Sequence, residues 1–271
     1  MTVPSGRHPR PVDEIATIVS HDLVNREYRH MTVRGSAALA AGMPGQFYQI
    51  ACSPARADIP YLRRPFSLYA ARPDDAEIEF LYKVTGEGTR SLALMAPGDP
   101  MRILGPLGHG YRLAPHWKHV AVVGRGVGLA TLHPLVAAAH ARGIGVTLIV
   151  SARDAALVPP LPTGPDGIEI HVVTDAAGTS DPARVEALLR DLVRQGRCDA
   201  FLTCGSARLL RVQQTLAAEY GLDGQVAMEQ QMACGLGMCF CCVRDFRGAG
   251  GIVHKRVCWD GPVFDLMDAV A

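Results

Sequence analysis

Of the eight cysteines in this 271-residue chain, five lie beyond residue 233: Cys234, Cys239, Cys241, Cys242 and Cys258. Cys52, Cys198 and Cys204 are scattered. A segment this rich in Cys and Gly leaves little room for an apolar core of its own. Clustered thiols in a chain of this kind read as metal ligands or redox groups rather than as a disulfide scaffold. Cys234, Cys239 and Cys242 form C-x4-C-x2-C, and Cys258 follows after fifteen intervening residues. The first three have the spacing of plant-type [2Fe–2S] ligands. Gly235 and Gly237 permit the positive φ angles that let backbone N–H groups approach sulfur. Cys258 returns from a short hairpin whose turn is predicted at 247–251. The bland readings are a four-cysteine zinc site, which usually has two C-x2-C hooks where this chain has one, or reduced thiols buried for packing. Cys241, between two ligands, is predicted to point away as a small apolar filler.

The rest of the chain has two textures. From residue 12 to 113, short alternating segments are separated by Gly and Pro. Strands are predicted at 14–20, 28–33, 46–51, 66–70, 77–84 and 100–104, with a helical insert at 89–95. That spacing predicts a small antiparallel barrel. From His119 onward, apolar strands (119–123, 146–150, 168–174, 200–203, 225–228) alternate with helices (129–141, 182–194, 207–220). This pattern predicts a parallel sheet covered on both faces. The predicted division is an antiparallel β-barrel at 1–114, a parallel-sheet α/β domain at 115–228 and a small Cys-rich subdomain for the cluster at 229–271. A net charge of +1 gives no reason to expect a nucleic-acid or membrane partner. Residues 1–10 lack the apolar core of a signal peptide, and no stretch approaches the roughly 20 apolar residues that span a bilayer. The expected compartment is the cytoplasm.

Two segments of the first region suit a flavin nucleotide. In Arg63-Arg64-Pro65-Phe66-Ser67 the guanidinium of Arg64 can pair with a phosphate and the Ser67 hydroxyl can reach an isoalloxazine edge. In Tyr82-Lys83-Val84-Thr85-Gly86-Glu87-Gly88-Thr89 a strand enters a Gly-rich turn and then a helix, presenting N–H groups to a pyrophosphate. Read singly, each is equally a surface arginine or a plain turn. In the second region, Gly124-Arg125-Gly126-Val127-Gly128 follows a strand and opens a helix, where a dinucleotide can sit or where the chain simply turns tightly. Thr203-Cys204-Gly205-Ser206 ends a later strand at the same sheet edge. No acidic residue stands out for a ribose, and Arg153 faces either a 2′-phosphate or solvent, which leaves NADH and NADPH both open.

Taken together these segments resemble the ferredoxin–NADP reductase-like superfamily. Within it the chain is most similar, over nearly its whole length, to the iron–sulfur subunit of the heteromeric dihydroorotate dehydrogenases. The likeness rests on Arg64-Pro65-Phe66-Ser67, Gly86-Glu87-Gly88-Thr89, Gly105-Pro106-Leu107-Gly108, Met232-Ala233-Cys234-Gly235-Leu236-Gly237-Met238-Cys239 and Cys258-Trp259-Asp260-Gly261-Pro262-Val263-Phe264. The resemblance implies FAD on the barrel, NADH over the second domain (NAD(P)H on the residues alone), and a [2Fe–2S] cluster facing a flavin-containing catalytic partner in a heteromer, a heterotetramer among its forms. Two departures fall near the nicotinamide: Ala130-Thr131 where the family has Ala-Pro, and Cys204-Gly205-Ser206 where it has Cys-Gly-Pro.

The implied chemistry is an electron relay, with Ser67 at the flavin edge, Cys204 beside the nicotinamide and the four cysteines at the cluster. No residue stands ready to oxidise dihydroorotate itself, so the chain alone is expected to act only as a diaphorase. The rival readings are a reductase for another dehydrogenase or an oxygenase, against which the short gap before Cys258 counts, and a non-catalytic zinc-binding interaction protein.

Overall fold

The computed structural model describes residues 10–52, 60–161 and 168–271. The reading of residues 1–9 as no signal peptide lies outside them. The first sheet contains β1 (Val12–Leu23), β2 (Tyr28–Arg34), β3 (Phe47–Ile50), β4 (Arg64–Ser67), β5 (Ala70–Arg72), β6 (Glu77–Lys83) and β7 (Pro100–Leu107), with the short helix α1 (Glu87–Leu92) after β6. Its strands are antiparallel, in the order β4-β3-β7-β1-β2-β6-β5. Strands β4 and β5 therefore occupy opposite edges, although only Leu68 and Tyr69 separate them in the chain. Leu68 N–H bonds the Gln46 carbonyl on one side and Tyr69 N–H bonds the Glu79 carbonyl on the other. The sheet has thus curled until its edges meet, and the single strand predicted at 66–70 is two strands because closure changes its partner midway. Inward side chains, among them Ile18, Met31, Val33, Tyr48, Ile50, Phe80 and Ile103, fill the barrel.

The second sheet holds β8 (His119–Arg125), β9 (Gly145–Ala152), β10 (Ile168–Thr174), β11 (Ala200–Cys204) and β12 (Asp223–Ala227), all parallel. Their crossover helices are α2 (Leu129–His140), α3 (Pro182–Arg194) and α4 (Ala207–Tyr220). Alternate residues of β8 serve the two faces: Val120 and Val122 pack with α2, while Ala121 and Val123 pack with α3 and α4. Helix α3 begins as the sequence predicts, with Asp181 accepting from Ala183 N–H ahead of Pro182. The order β10-β9-β8-β11-β12 reverses direction between β8 and β11. Ligands of open parallel sheets enter at such a switch point, at the strands' carboxyl ends. Gly124 and Cys204 are partners in register there.

After β12 the chain leaves the sheet and forms the cysteine loop, the hairpin β13 (Val243–Gly248) and β14 (Gly251–Arg256), and the single turn α5 (Val257–Asp260). It then returns as β15 (Val263–Asp265), antiparallel to β12, at the edge of the second sheet. Gly248 pairs with Gly251, which puts the hairpin turn inside the predicted 247–251. One apolar core joins the three regions: it includes Phe47 and Leu107 from the barrel, Phe201 and Val226 from the parallel sheet, and Cys242, Phe246, Cys258 and Phe264 from the final segment.

Candidate functional site

The two flavin-type segments lie side by side. A Cβ placed on Gly88 would come within 3.1 Å of Arg64 Cγ and Nε, so the missing side chain of α1 makes the passage for the arginine. Arg64 donates to the Leu62 carbonyl at 2.6 Å. A cleft of 480 Å³ opens beside them, lined by Arg64, Pro65, Phe66, Ser67, Tyr82, Lys83, Gly86, Gly88 and Thr89. Val84 is turned away and packs against the barrel core. The Tyr82 ring meets Phe66 edge-on at 5.5 Å, and its hydroxyl lies 2.7 Å from His21 Nε2. The turn differs from the expectation of open N–H groups at its start. Thr89 Oγ1 accepts from Thr85 N–H at 2.9 Å and Gly86 N–H at 3.0 Å, leaving Glu87 and Gly88 to present the turn to the cleft.

Thr131, Cys204 and Glu229 line the far wall of this cleft, so one of the two positions where the sequence departs from the family pattern adjoins it; the other, Ser206, lines a separate cleft that shares Cys204 and Glu229. Ser206 has a local role, its hydroxyl accepting from Leu209 N–H at the start of α4. Cys204 is buried, and desolvation raises its thiol well above the ordinary value, which keeps it a neutral S–H. Its Sγ lies 4.0 Å from Glu229 Oε1.

A second cleft of 270 Å³ lies at the sheet's switch point, lined by Glu27, Tyr28, Arg125, Gly126, Arg153, Gly205 and Glu229 among others. Of the three loop glycines, Gly126 has φ +58° and borders this cleft. Gly124 and Gly128 have packing reasons: a Cβ would fall 2.5 Å from Leu129 Cδ2 in one case and 2.8 Å from the Cys204 carbonyl in the other. Arg153 pairs with Glu27, which also holds Lys83 at 2.7 Å; hydrogen bonds from Lys83 and then Arg153 lower the Glu27 carboxyl's pKa. Arg125 reaches Asp175 at 2.6 Å and Ser151 at 2.7 Å, and the Arg125 and Ser180 hydrogen bonds hold Asp175 at about 2.

Glu229 lines both clefts and a third beside Ser206 and Arg244, and it belongs to none of the motifs that the sequence singles out. The openings leave it accessible, while the surrounding protein desolvates the carboxyl and raises its pKa. The available signal was its place, a carboxylate just past the carboxyl end of a parallel strand.

In the cysteine loop Gly235 and Gly237 have φ +71° and +75°, as predicted. Leu236 N–H points to Cys234 Sγ at 3.3 Å, Gly237 N–H to Cys258 Sγ at 3.2 Å, and Cys258 N–H to Cys242 Sγ at 3.4 Å. The thiols fall in two pairs. Cys239 lies near enough to Cys234 for its backbone and side chain to lower that thiol's pKa, and the Cys242 and Cys258 sulfurs lie 3.2 Å apart. Burial raises Cys234, but N–H groups of Leu236, Cys239 and Met238 outweigh it and bring it to about 7, while burial takes Cys258 to about 12. Among the described residues no group of three or more His, Cys, Asp or Glu is arranged to hold a single metal ion. Four cysteine thiolates gathered in one loop and turn suit a [2Fe–2S] centre, which takes four. Cys241 is exposed, so it is no packing filler. Around the loop Met238, Phe240 and Trp259 are 78%, 63% and 52% exposed, and Arg256 lies over both aromatic rings.

A family model for the iron–sulfur cluster binding domain of dihydroorotate dehydrogenase B matches residues 229–269. The electron transfer subunit of dihydroorotate dehydrogenase B (NAD(+)) from Bacillus caldolyticus is 32% identical over 260 residues, covering 95% of this chain and 98% of the relative. The corresponding subunit of Caldanaerobacter subterraneus is 33% identical over 82% of this chain and 84% of its own. Among solved structures, an NADH-dependent reduced ferredoxin-NADP oxidoreductase studied for flavin-based electron bifurcation superposes with a TM-score of 0.78 at 25% identity, over 93% of this chain and 88% of that one. The ferredoxin-NADP+ reductase of Plasmodium falciparum shares the fold, with a TM-score of 0.61 at 13% identity over 77% of this chain and 90% of its own. With the barrel, the switch-point clefts and the paired thiols in place, this chain belongs to the family of dihydroorotate dehydrogenase B electron transfer subunits.

Proposed function

We propose that the chain relays electrons between NAD(P)(H), FAD and a [2Fe–2S] cluster, to or from a separate flavin-containing catalytic subunit that acts on dihydroorotate. The observation that carries this reading is contiguity. Phe47 lines the large cleft and also belongs to the core that holds Cys242 and Cys258, so flavin-type and cysteine sites share a wall. When bound, FAD supplies the exchange of a hydride for single electrons and the cluster carries them one at a time.

The proposed units are 1–114 for FAD, 115–228 for NAD(P)(H) and 229–271 for the cluster. Arg64 takes a phosphate, Ser67 the isoalloxazine edge, and Gly86, Gly88 and Thr89 shape the pyrophosphate turn. Pro65, Phe66, Tyr82 and Lys83 form the flavin wall, with Val84 supporting it from behind. Gly124, Gly126 and Gly128 form the nucleotide loop, and neutral Cys204 closes the nicotinamide side without adding charge. Cys234, Cys239, Cys242 and Cys258 would hold the cluster, a donor set that fits the group. The exposed rim of Met238, Phe240 and Trp259 supports docking of the catalytic subunit over the cluster. The proposed compartment is the cytoplasm, where reduced thiols persist. No helix among the described residues is long and apolar enough to cross a membrane.

The test is a visible spectrum of anaerobically purified protein with iron, sulfide and flavin assays, followed by NADH. Bleaching of flavin and cluster bands with about two irons per chain is expected. A colourless, zinc-bearing protein would refute the relay. Dihydroorotate oxidation by the isolated chain would refute the division of labour.

A further inference from the structure

Strand β3 serves two walls. Its inward residues, Tyr48 and Ile50, belong to the barrel core. Its outward residues are Phe47, in the core around Cys242 and Cys258, and Gln49. Gln49 has no exposed surface, and neither its Nε2 nor its Oε1 has a hydrogen-bond partner among the described residues. An amide sealed from water with both polar ends unanswered is costly, and such groups are normally paired.

What lies against the amide says where its partner belongs. A Cβ on Gly235, the residue after Cys234, would fall 2.7 Å from Gln49 Cγ and 2.9 Å from Nε2. The side chain is therefore pressed against the backbone of the cysteine loop, at a point where only glycine leaves room. Across the ladder Gln49 pairs with Pro65, which lines the flavin-type cleft. The glutamine stands between the two redox sites.

We propose that Gln49 is a positioning residue for the cluster: its side-chain amide donates a hydrogen bond to a sulfur of the bound [2Fe–2S] group or its cysteine ligands and holds the reduction potential up. The inference rests on the four-cysteine reading of the site. Reduction adds negative charge to the cluster, and a fixed N–H donor favours the form that carries it. The amide can turn about its last bond to bring its N–H to the sulfur.

The experiment uses the full chain, purified anaerobically with cluster and flavin, as wild type, Gln49→Met and Gln49→Glu. Methionine keeps length and flexibility and removes the donor; glutamate keeps the shape and replaces the donor with an acceptor. Iron, sulfide and the EPR spectrum of the reduced cluster report loading, and a potentiometric titration reports the cluster and flavin couples separately. The expected result is full loading with the cluster couple moved negative. The Gln49→Met shift should amount to at least a tenfold fall in the reduced-to-oxidised ratio at fixed potential, 59 mV for one electron. The Gln49→Glu shift should be larger, with the flavin couple nearly unmoved. A loaded Gln49→Met protein with an unchanged cluster potential would overturn the proposal, leaving a buried water as the amide's partner. Wild-type protein without iron and sulfide would overturn the cysteine reading itself, and this inference with it.

Discussion

Gly237 and Gly178 share a left-handed backbone, with φ +75° and +64°, and differ in their surroundings. A Cβ on Gly237 would fall 2.8 Å from Trp259 Cβ and 2.9 Å from its Cγ, whereas a Cβ on Gly178 meets nothing within 4 Å. Alanine in this conformation costs about 1–2 kcal/mol at either site. Trp259 Cβ is fixed to its own backbone and cannot rotate aside, so Gly237→Ala adds roughly 1–3 kcal/mol of overpacking. The totals are then about 1–2 kcal/mol for Gly178→Ala and about 2–5 kcal/mol for Gly237→Ala. The second cost falls on the cysteine loop, since Gly237 N–H meets Cys258 Sγ and its carbonyl accepts from Arg256 at 3.1 Å. Strain felt in the closed loop and relieved when it opens speeds opening, and about 1.4 kcal/mol is tenfold in rate. The assay is the anaerobic rate of iron release to excess chelator, with flavin retention as internal control. Gly178→Ala should release iron like wild type and show its cost only in global unfolding. Gly237→Ala should release it at least about fivefold faster. Equal release rates for the two variants would refute the reasoning, because at Gly237 both the backbone strain and the clash fall on the loop that carries the thiols, whereas at Gly178 neither does.

Arg64→Ala should weaken FAD binding by about 10–150-fold, the loss of about 1.5–3 kcal/mol for a charged hydrogen bond, and an unchanged dissociation constant would remove Arg64 from the flavin site. Phe240→Glu, at a 63% exposed position, should leave the chain folded and loaded but abolish its co-elution with the catalytic subunit; undiminished co-elution would move the docking face elsewhere. His21, His30, His119 and His133 all have pKa values lowered from 6.5, with burial the leading cause. Between the folded and unfolded values the unfolded chain binds more protons, so their contribution is complete above 6.5 and is lost as pH falls through the folded values. The melting temperature should therefore drop from pH 7.5 to 5.5; a flat profile would show that these rings charge without penalty.

Features whose physics is local were legible in the sequence. The cysteine loop is one: Gly235 and Gly237 are needed for backbone reasons that spacing alone exposes, and both sit at positive φ. The two flavin-type segments, paired in the sequence by their order and separation, line one cleft. Features that depend on closure were hidden. Nothing in residues 66–70 says that Leu68 and Tyr69 bond opposite edges of one sheet. A strand of three residues such as β15 exists only because β12 offers it an edge. Gln49 reads as the polar side of an amphipathic strand, and its burial comes from a loop nearly two hundred positions later in the chain. Gly124 and Gly128 fit a phosphate-loop pattern, while the contacts explaining their small size are with Leu129 and with the Cys204 carbonyl.

The return of β15 to the side of β12 bears on how the cysteine segment is assembled. The chain departs at Ala227 and comes back at Val263, two residues paired directly across the ladder. The four thiols therefore lie on a loop whose ends are already tied by the sheet. Closing a free loop costs chain entropy before any ligand binds, and small zinc domains meet that cost with the metal itself, which is why they unfold without it. Here the sheet bears it. Iron and sulfide enter a noose already drawn, so their arrival can follow the folding of the protein instead of driving it.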